Sequence, residues 1–208
     1  MVQGVGIDMN LKQQTIDTYN ASADAIADKL NKSGARVEDV ARLFGYVDVE
    51  NPRVLEIGCA QGRDVSEILK FTDRYVGTDV SEKLLSIARR SFPDVEFEEA
   101  DVEVYDFPDG LDVVIAFASL IHTSKNALEV VLGRIHDSLH RGGILYASMK
   151  RSETYEEYVR EEAYRVRTYY LYNRELFAKL AGEGWEVIFE RDYDWRGIDW
   201  FDIVLKKL

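Results

Sequence analysis

Apolar and polar positions change period several times along the chain, and each change marks an element. Ile16, Tyr19, Ala23, Ile26 and Leu30 recur at three- and four-residue spacing, which predicts a helix over residues 8–31 stopped by Asn31 to Gly34. Residues 36–45 predict a second short helix, closed by Gly45. Asn51-Pro52 then breaks the chain before an apolar strand, Arg53–Ile57. Further strands over Arg74–Thr78, Val95–Glu98, Leu111–Phe117 and Ile144–Met149 alternate with helices from Val65 to about Lys70, over Glu82–Ser91 and over Asn126–Leu139. Leu111–Phe117 is apolar nearly throughout, as befits a strand covered on both faces. Ser81 is placed to cap the helix at Glu82, and Arg141-Gly142-Gly143 to close the helix before them.

The C-terminal third departs from this rhythm. Residues 150–172 hold Tyr155, Tyr158, Tyr164, Tyr169, Tyr170 and Tyr172 among charges of both signs, a pattern that predicts a partly exposed helix to about Ala163. On the ligand side of a sheet this stretch would serve as a lid, with Arg165 or Arg167 gripping an anionic group. A helix over 173–183, capped by Asn173, precedes two closing strands, Trp185–Arg191 and Ile198–Lys206, joined by a loop of Asp194 to Gly197. Alternating strands and helices predict a three-layer α/β fold with a mostly parallel sheet. The expected organisation is one domain over 1–208, with helices over 1–45 and the lid segment at 150–172.

The chemistry concentrates in Val54–Asp64, V-L-E-I-G-C-A-Q-G-R-D, an apolar strand running into a glycine-punctuated turn. Gly58, Ala60 and Gly62 leave backbone open to close approach. A dinucleotide site would place glycines at 58, 60 and 63, where the chain has Gly58, Ala60 and Arg63. The stretch instead resembles the first motif of class I S-adenosylmethionine-dependent methyltransferases, E/D-x-G-x-G-x-G, with Ala60 in place of the middle glycine.

That resemblance, extending from about residue 15 to the end, implies a Rossmann-like seven-stranded sheet finished by an antiparallel hairpin, with S-adenosylmethionine as cofactor and S-adenosylhomocysteine as product. It implies a cofactor site at Glu56, Gly58, Cys59, Ala60, Gly62 and Arg63, with Phe117 and Ala118 at the end of the fourth strand. Asp79, 21 positions beyond Gly58, would accept from the ribose hydroxyls beside Val80. Asp101 would meet the adenine amino group, with Val102 on the ring. Tyr19, in Tyr19-Asn20-Ala21-Ser22-Ala23, resembles a family helix lying over the cofactor. His122, in Ala118-Ser119-Leu120-Ile121-His122, is the candidate general base, or else a hydrogen-bonded brace of the turn. The first turn of the helix after Gly62, with Arg63, would hold the carboxylate of the methionine moiety.

Bulk properties narrow the acceptor. The formal net charge of −12 disfavours nucleic acid and anionic membrane surfaces, so a small-molecule acceptor is expected. Cys59 is the one cysteine, and no stretch reads as a signal peptide or a membrane span, which predicts a cytoplasmic protein. The three histidines lack metal-ligand spacing, so no metal is expected. A catalytically silent cofactor-binding regulator is the alternative, and an aminopropyl transferase is disfavoured because Ser119, Leu120 and Ile121 stand where further acids are expected.

Overall fold

The computed structural model describes residues 5–162 and 165–208; Ala163 and Tyr164 lie outside them. Seven strands form the main sheet: β1 (Val54–Ile57), β2 (Tyr75–Asp79), β3 (Glu96–Glu99), β4 (Leu111–Phe117), β5 (Leu139–Lys150), β8 (Trp185–Trp195) and β9 (Ile198–Lys207). Their order is β3-β2-β1-β4-β5-β9-β8, parallel except that β9 runs against both of its neighbours. The expected fold class holds, down to the antiparallel C-terminal strand. The order reverses between β1 and β4, so the carboxyl ends of these two strands flank a crevice where ligands of open α/β sheets collect.

Helices cover both faces. α6 (Lys125–Ser138) and α7 (Arg174–Ala181) pack Leu128, Leu132, Ile135 and Phe177 on one core, which includes Leu55, Val114, Ala147 and Phe201. α3 (Val37–Phe44) and α5 (Glu82–Ser91) close the other face, packing Val40, Leu43, Leu85 and Ala88 against Val113, Ile115 and Tyr146. Ser81 caps α5 by accepting from the Leu84 amide at 3.3 Å, and Asn173 caps α7 by accepting from the Leu176 amide at 2.8 Å.

Five local expectations are corrected. The first helix is two, α1 (Val5–Ala21) and α2 (Ala23–Ser33), because the chain breaks at Ser22 to run first over the strand Arg165–Leu171 and then along α5. The helix after the glycine turn, α4, begins at Val65 as expected but ends at Ile68, because residues 69–71 continue as a turn. Gly142 and Gly143 do not end α6; that helix stops at Ser138 and β5 begins at once. Leu139 pairs with Leu111 and Ile144 with Val113, so residues 140–143 bulge outward and Gly142 takes φ 84°. The loop at 194–197 shrinks to a two-residue turn, Arg196-Gly197, with φ of 57° and 74°.

The fifth correction matters most for function. Where a helix to about Ala163 is expected, the described residues form a strand, β6 (Glu156–Glu162), which pairs with β7 (Arg165–Leu171) as a hairpin. Alternation of tyrosine and charge has period two here, and register places Tyr158 opposite Tyr169 and Arg160 opposite Arg167 on one face. Its outer edge is satisfied by a helix. Thr18 Oγ1 donates to the Val166 carbonyl at 2.8 Å and accepts from its amide at 3.1 Å, while Thr15 Oγ1 accepts from the Thr168 amide at 3.0 Å.

Candidate functional site

Two turns meet at the crevice, one after β1 and one after β4. Gly58 (φ 73°) and Ala60 (φ 52°) both adopt left-handed backbone, as does Ala118 (φ 59°) across from them. Alanine in this region costs about 1–2 kcal/mol, and such strain clusters at ligand sites. At Gly58 the requirement is double, because a Cβ there would lie 2.4 Å from that of Ser119. Its smallness serves the packing of the two turns and not only the approach of a ligand.

Asp79 ties the glycine turn to β2. Its carboxylate accepts from the Ala60 amide and the Ser81 amide, each at 2.9 Å. Burial pushes its pKa up to about 6, against the opposing pull of the Ser81, Ala60 and Val80 amides. Each oxygen retains capacity to accept once more, as a cis-diol requires. Val80, which follows, is half-buried.

Glu56 lies fully inside, where burial first and the neighbouring Asp64 second raise its pKa to about 8. Tyr75 Oη donates to it at 2.5 Å, and Arg63 and Arg36 oppose the rise. The carboxyl therefore keeps its proton at neutral pH. Cys59 is buried, and burial raises its thiol well above the usual range, which suits the filler role and excludes a ready thiolate.

Arg63 does not face the crevice as a free cation: its guanidinium is held by Asp64, with Nη2 at 2.8 Å and Nε at 3.2 Å from Oδ2. A four-residue α4 also offers no helix N-terminal site for a carboxylate. Arg36 was not foreseen for this position. Its guanidinium lies 5.1 Å from the Phe117 ring centroid, and its buried Nε makes no hydrogen bond within the protein. Asp101 ends the β3 side of the crevice, where Lys12 of α1 pairs with it at 2.6 Å and with Glu103 at 2.9 Å. Val102, half-buried beside it, packs against the core.

α1 and α2 cover the crevice and add polar contacts to it. Ser81 Oγ donates to Asn20 Oδ1 at 2.9 Å, and Gln61 Nε2 donates to Asn31 Oδ1 at 3.0 Å. Tyr19 Oη lies 2.8 Å from His122 Nε2, and His122 Nδ1 lies 2.5 Å from the Thr168 carbonyl. A carbonyl only accepts, so Nδ1 carries the proton and Tyr19 donates to bare Nε2. Burial lowers the His122 pKa to about 4, so the ring is neutral, and burial also raises that of Tyr19. The imidazole thus braces α1 and the hairpin against the turn after β4. Both of its ring nitrogens are engaged within the protein, Nε2 by Tyr19 and Nδ1 by Thr168. Among the described residues no group of histidine, cysteine and acid side chains is placed to hold a metal.

Comparison with known proteins agrees with this geometry. Residues 54–143, which contain β1 to β4 and both turns, match the family model described as a methyltransferase domain. A trans-aconitate 2-methyltransferase of Variovorax paradoxus is 34% identical over 104 residues, 48% of this chain and 39% of that protein. A demethylmenaquinone methyltransferase of Chlorobaculum tepidum is 25% identical over 68% of this chain and 56% of its own length. The chain thus spans roughly 40–55% of the curated relatives it matches. The Burkholderia thailandensis 1,6-didemethyltoxoflavin-N1-methyltransferase, solved with S-adenosylhomocysteine, superposes with a TM-score of 0.73 at 19% identity, covering 100% of this chain and 91% of that one. A TehB-like methyltransferase of Corynebacterium glutamicum gives 0.68 at 18% identity, with 90% and 99% covered. The chain therefore shares the fold of these solved methyltransferases, and its residues 54–143 match a methyltransferase domain.

Proposed function

We propose that this protein transfers a methyl group from S-adenosylmethionine to a small-molecule acceptor. The observation that carries the reading is Asp79, buried at the end of β2 and fixed by the glycine turn's own amide, with both oxygens able to accept again. The residues present fit the cofactor. Asp79 would take the ribose hydroxyls, Asp101 the adenine amino group, and Arg36, with its unpartnered Nε, the methionine carboxylate.

Bound there, S-adenosylmethionine supplies a methyl group whose bond to the positive sulfur breaks as the bond to the acceptor forms, the sulfur keeping the electron pair. The chain's part is alignment and exclusion of water, achieved by α1, α2 and the hairpin closing over the turns. For an acceptor that bears a proton, the Tyr19 oxygen would accept it as the phenol proton passes to His122 Nε2, leaving a neutral phenol and a protonated imidazole.

A small-molecule acceptor agrees with the −12 charge, which repels phosphate backbones, and with relatives named for trans-aconitate and demethylmenaquinone. No helix of the described residues is long and apolar enough to cross a membrane. The lone buried Cys59 suits a reducing, cytoplasmic setting.

Calorimetric titration with S-adenosylhomocysteine tests the donor site. Micromolar binding that Asp79→Ala abolishes, with no binding of NAD, is expected; absence of binding sinks the reading. Binding without product formation across a broad acceptor panel would leave a cofactor-binding regulator instead.

A further inference from the structure

Lys150, the last residue of β5, is only 5% exposed. Its ammonium donates to Tyr158 Oη at 2.8 Å, and among the described residues no carboxylate pairs with it. The nitrogen otherwise meets aromatic faces, 3.5 Å from the Tyr169 ring centroid and 5.4 Å from that of Tyr158. An ammonium has three donors, so two are left without an oxygen. Burying such a charge is costly, and cation–π contact offsets only part of that cost.

The surroundings make the arrangement costlier. Arg160 stands directly opposite Arg167 in the hairpin, where like charges repel. Burial, and then Arg160, Arg167 and Lys29, lower the Lys150 pKa to about 8. Arg160, Arg167 and Lys29 thus lie near enough to act on the Lys150 ammonium. This cluster adjoins the crevice. The Tyr169 ring, which Lys150 contacts, also lies 4.8 Å from the His122 ring, and the Arg167 guanidinium lies 5.8 Å from the Tyr19 ring.

We propose that this cluster is the acceptor subsite, and that the methyl acceptor is a small organic carboxylate whose anionic group docks on Lys150 beneath the β6–β7 hairpin. A carboxylate would take the two idle N–H donors and supply the missing counter-charge. The Tyr158 and Tyr169 rings would keep water from the pair, which strengthens it. This assignment rests on the methyltransferase reading for the word acceptor, but the anion site stands on its own geometry.

The test is calorimetric titration of the full chain, free and saturated with S-adenosylhomocysteine. Probes are 4-hydroxybenzoate, fumarate and citrate, with the matching amides and inorganic phosphate as controls. Carboxylates are expected to bind the cofactor-loaded chain and the amides not to. Lys150→Met should weaken the carboxylates roughly ten- to hundredfold while leaving the affinity for S-adenosylhomocysteine unchanged. Lys150→Arg, which keeps the charge, should retain much of the binding, and a melting temperature of Lys150→Met no lower than that of the parent confirms its folding. Equal binding of acids and amides, indifference to Lys150→Met, binding of phosphate alone, or no carboxylate binding to either form overturns the proposal. Should S-adenosylhomocysteine fail to bind, the methyltransferase reading falls; Lys150-dependent carboxylate binding to the free chain would still uphold the anion site.

Discussion

The two sides of the crevice follow opposite electrostatic plans. Beside β1, β2 and β3 stand carboxyl groups, Glu56, Asp64, Asp79 and Asp101, each held by short-range partners: Tyr75, Arg63, the Ala60 and Ser81 amides, and Lys12. Beside β5 and the hairpin stand Lys150, Arg160 and Arg167 among tyrosines. The first side is made of turns in which each residue lies close in sequence to the strand it serves. The second is assembled from α1, β5 and a hairpin, which meet only in three dimensions. A donor site with a fixed ligand suits the first construction, and an acceptor site particular to one enzyme suits the second.

The sharpest way to break the comparison is to disturb the acidic side without touching its charges. Gly58→Ala meets both a φ of 73° and the Ser119 Cβ at 2.4 Å, so a loss of about 3 kcal/mol or more in chemical denaturation is expected. A stability loss under about 1 kcal/mol would show that the two turns give way easily and that this side is not rigid.

Glu56 comes next. Glu56→Ala should cost about 2–4 kcal/mol, since it opens a cavity and leaves the Tyr75 hydroxyl unpaired, whereas Glu56→Gln should cost less than about 1.5 kcal/mol at neutral pH. The sign of the pH dependence follows. Glu56 has a folded pKa raised from 4.5 to about 8, so the folded state binds the extra proton between these values. Its contribution to stability is therefore greatest below pH 4.5 and declines as pH rises through 8; Glu56→Gln should flatten the fall of melting temperature across that window.

On the cationic side, Thr15→Val with Thr18→Val removes the hydroxyls that satisfy the edge of β7. Amide exchange at Val166 and Thr168 should accelerate by about ten- to hundredfold, with global stability reduced by about 1–2 kcal/mol. Unchanged exchange would mean that the hairpin is held by its tyrosines alone. A milder effect is expected at Asp79: with a pKa near 6, its affinity for S-adenosylhomocysteine should fall as pH drops below 6, a trend that Asp79→Asn removes. The smallest change is Ala60→Gly, which restores the usual motif residue. Relief of left-handed strain, partly offset by glycine's chain entropy, should stabilise by about 0.5–1 kcal/mol or less, readable as a small rise in melting temperature.

How much of this was legible in the sequence differs between the two sides for one reason. Strand periods, the glycine turn and the Ser81 cap are short-range features, in which a residue's neighbours in the chain are also its partners in space, and the acids at 56 and 79 are placed by their positions in those strands and turns. Sequence by itself therefore determined the α/β fold class, the order of elements from α3 through α6 and the place of the glycine turn. Period failed where a stretch carried two of them: the tyrosines and charges of 156–171 fit a helix by charge pairing and a hairpin by alternation, and only Thr15 and Thr18 of α1, some 150 residues away, satisfy the edge that makes the hairpin possible. Tertiary structure likewise decided that Arg36 lies over Phe117. It also decided that His122 spans Tyr19 and Thr168, and that Lys150 at the end of β5 has, among the described residues, no carboxylate paired with it. Each of these is a charge or a hydrogen bond whose partner comes from a distant element, and a burial cost that is set only once those elements pack.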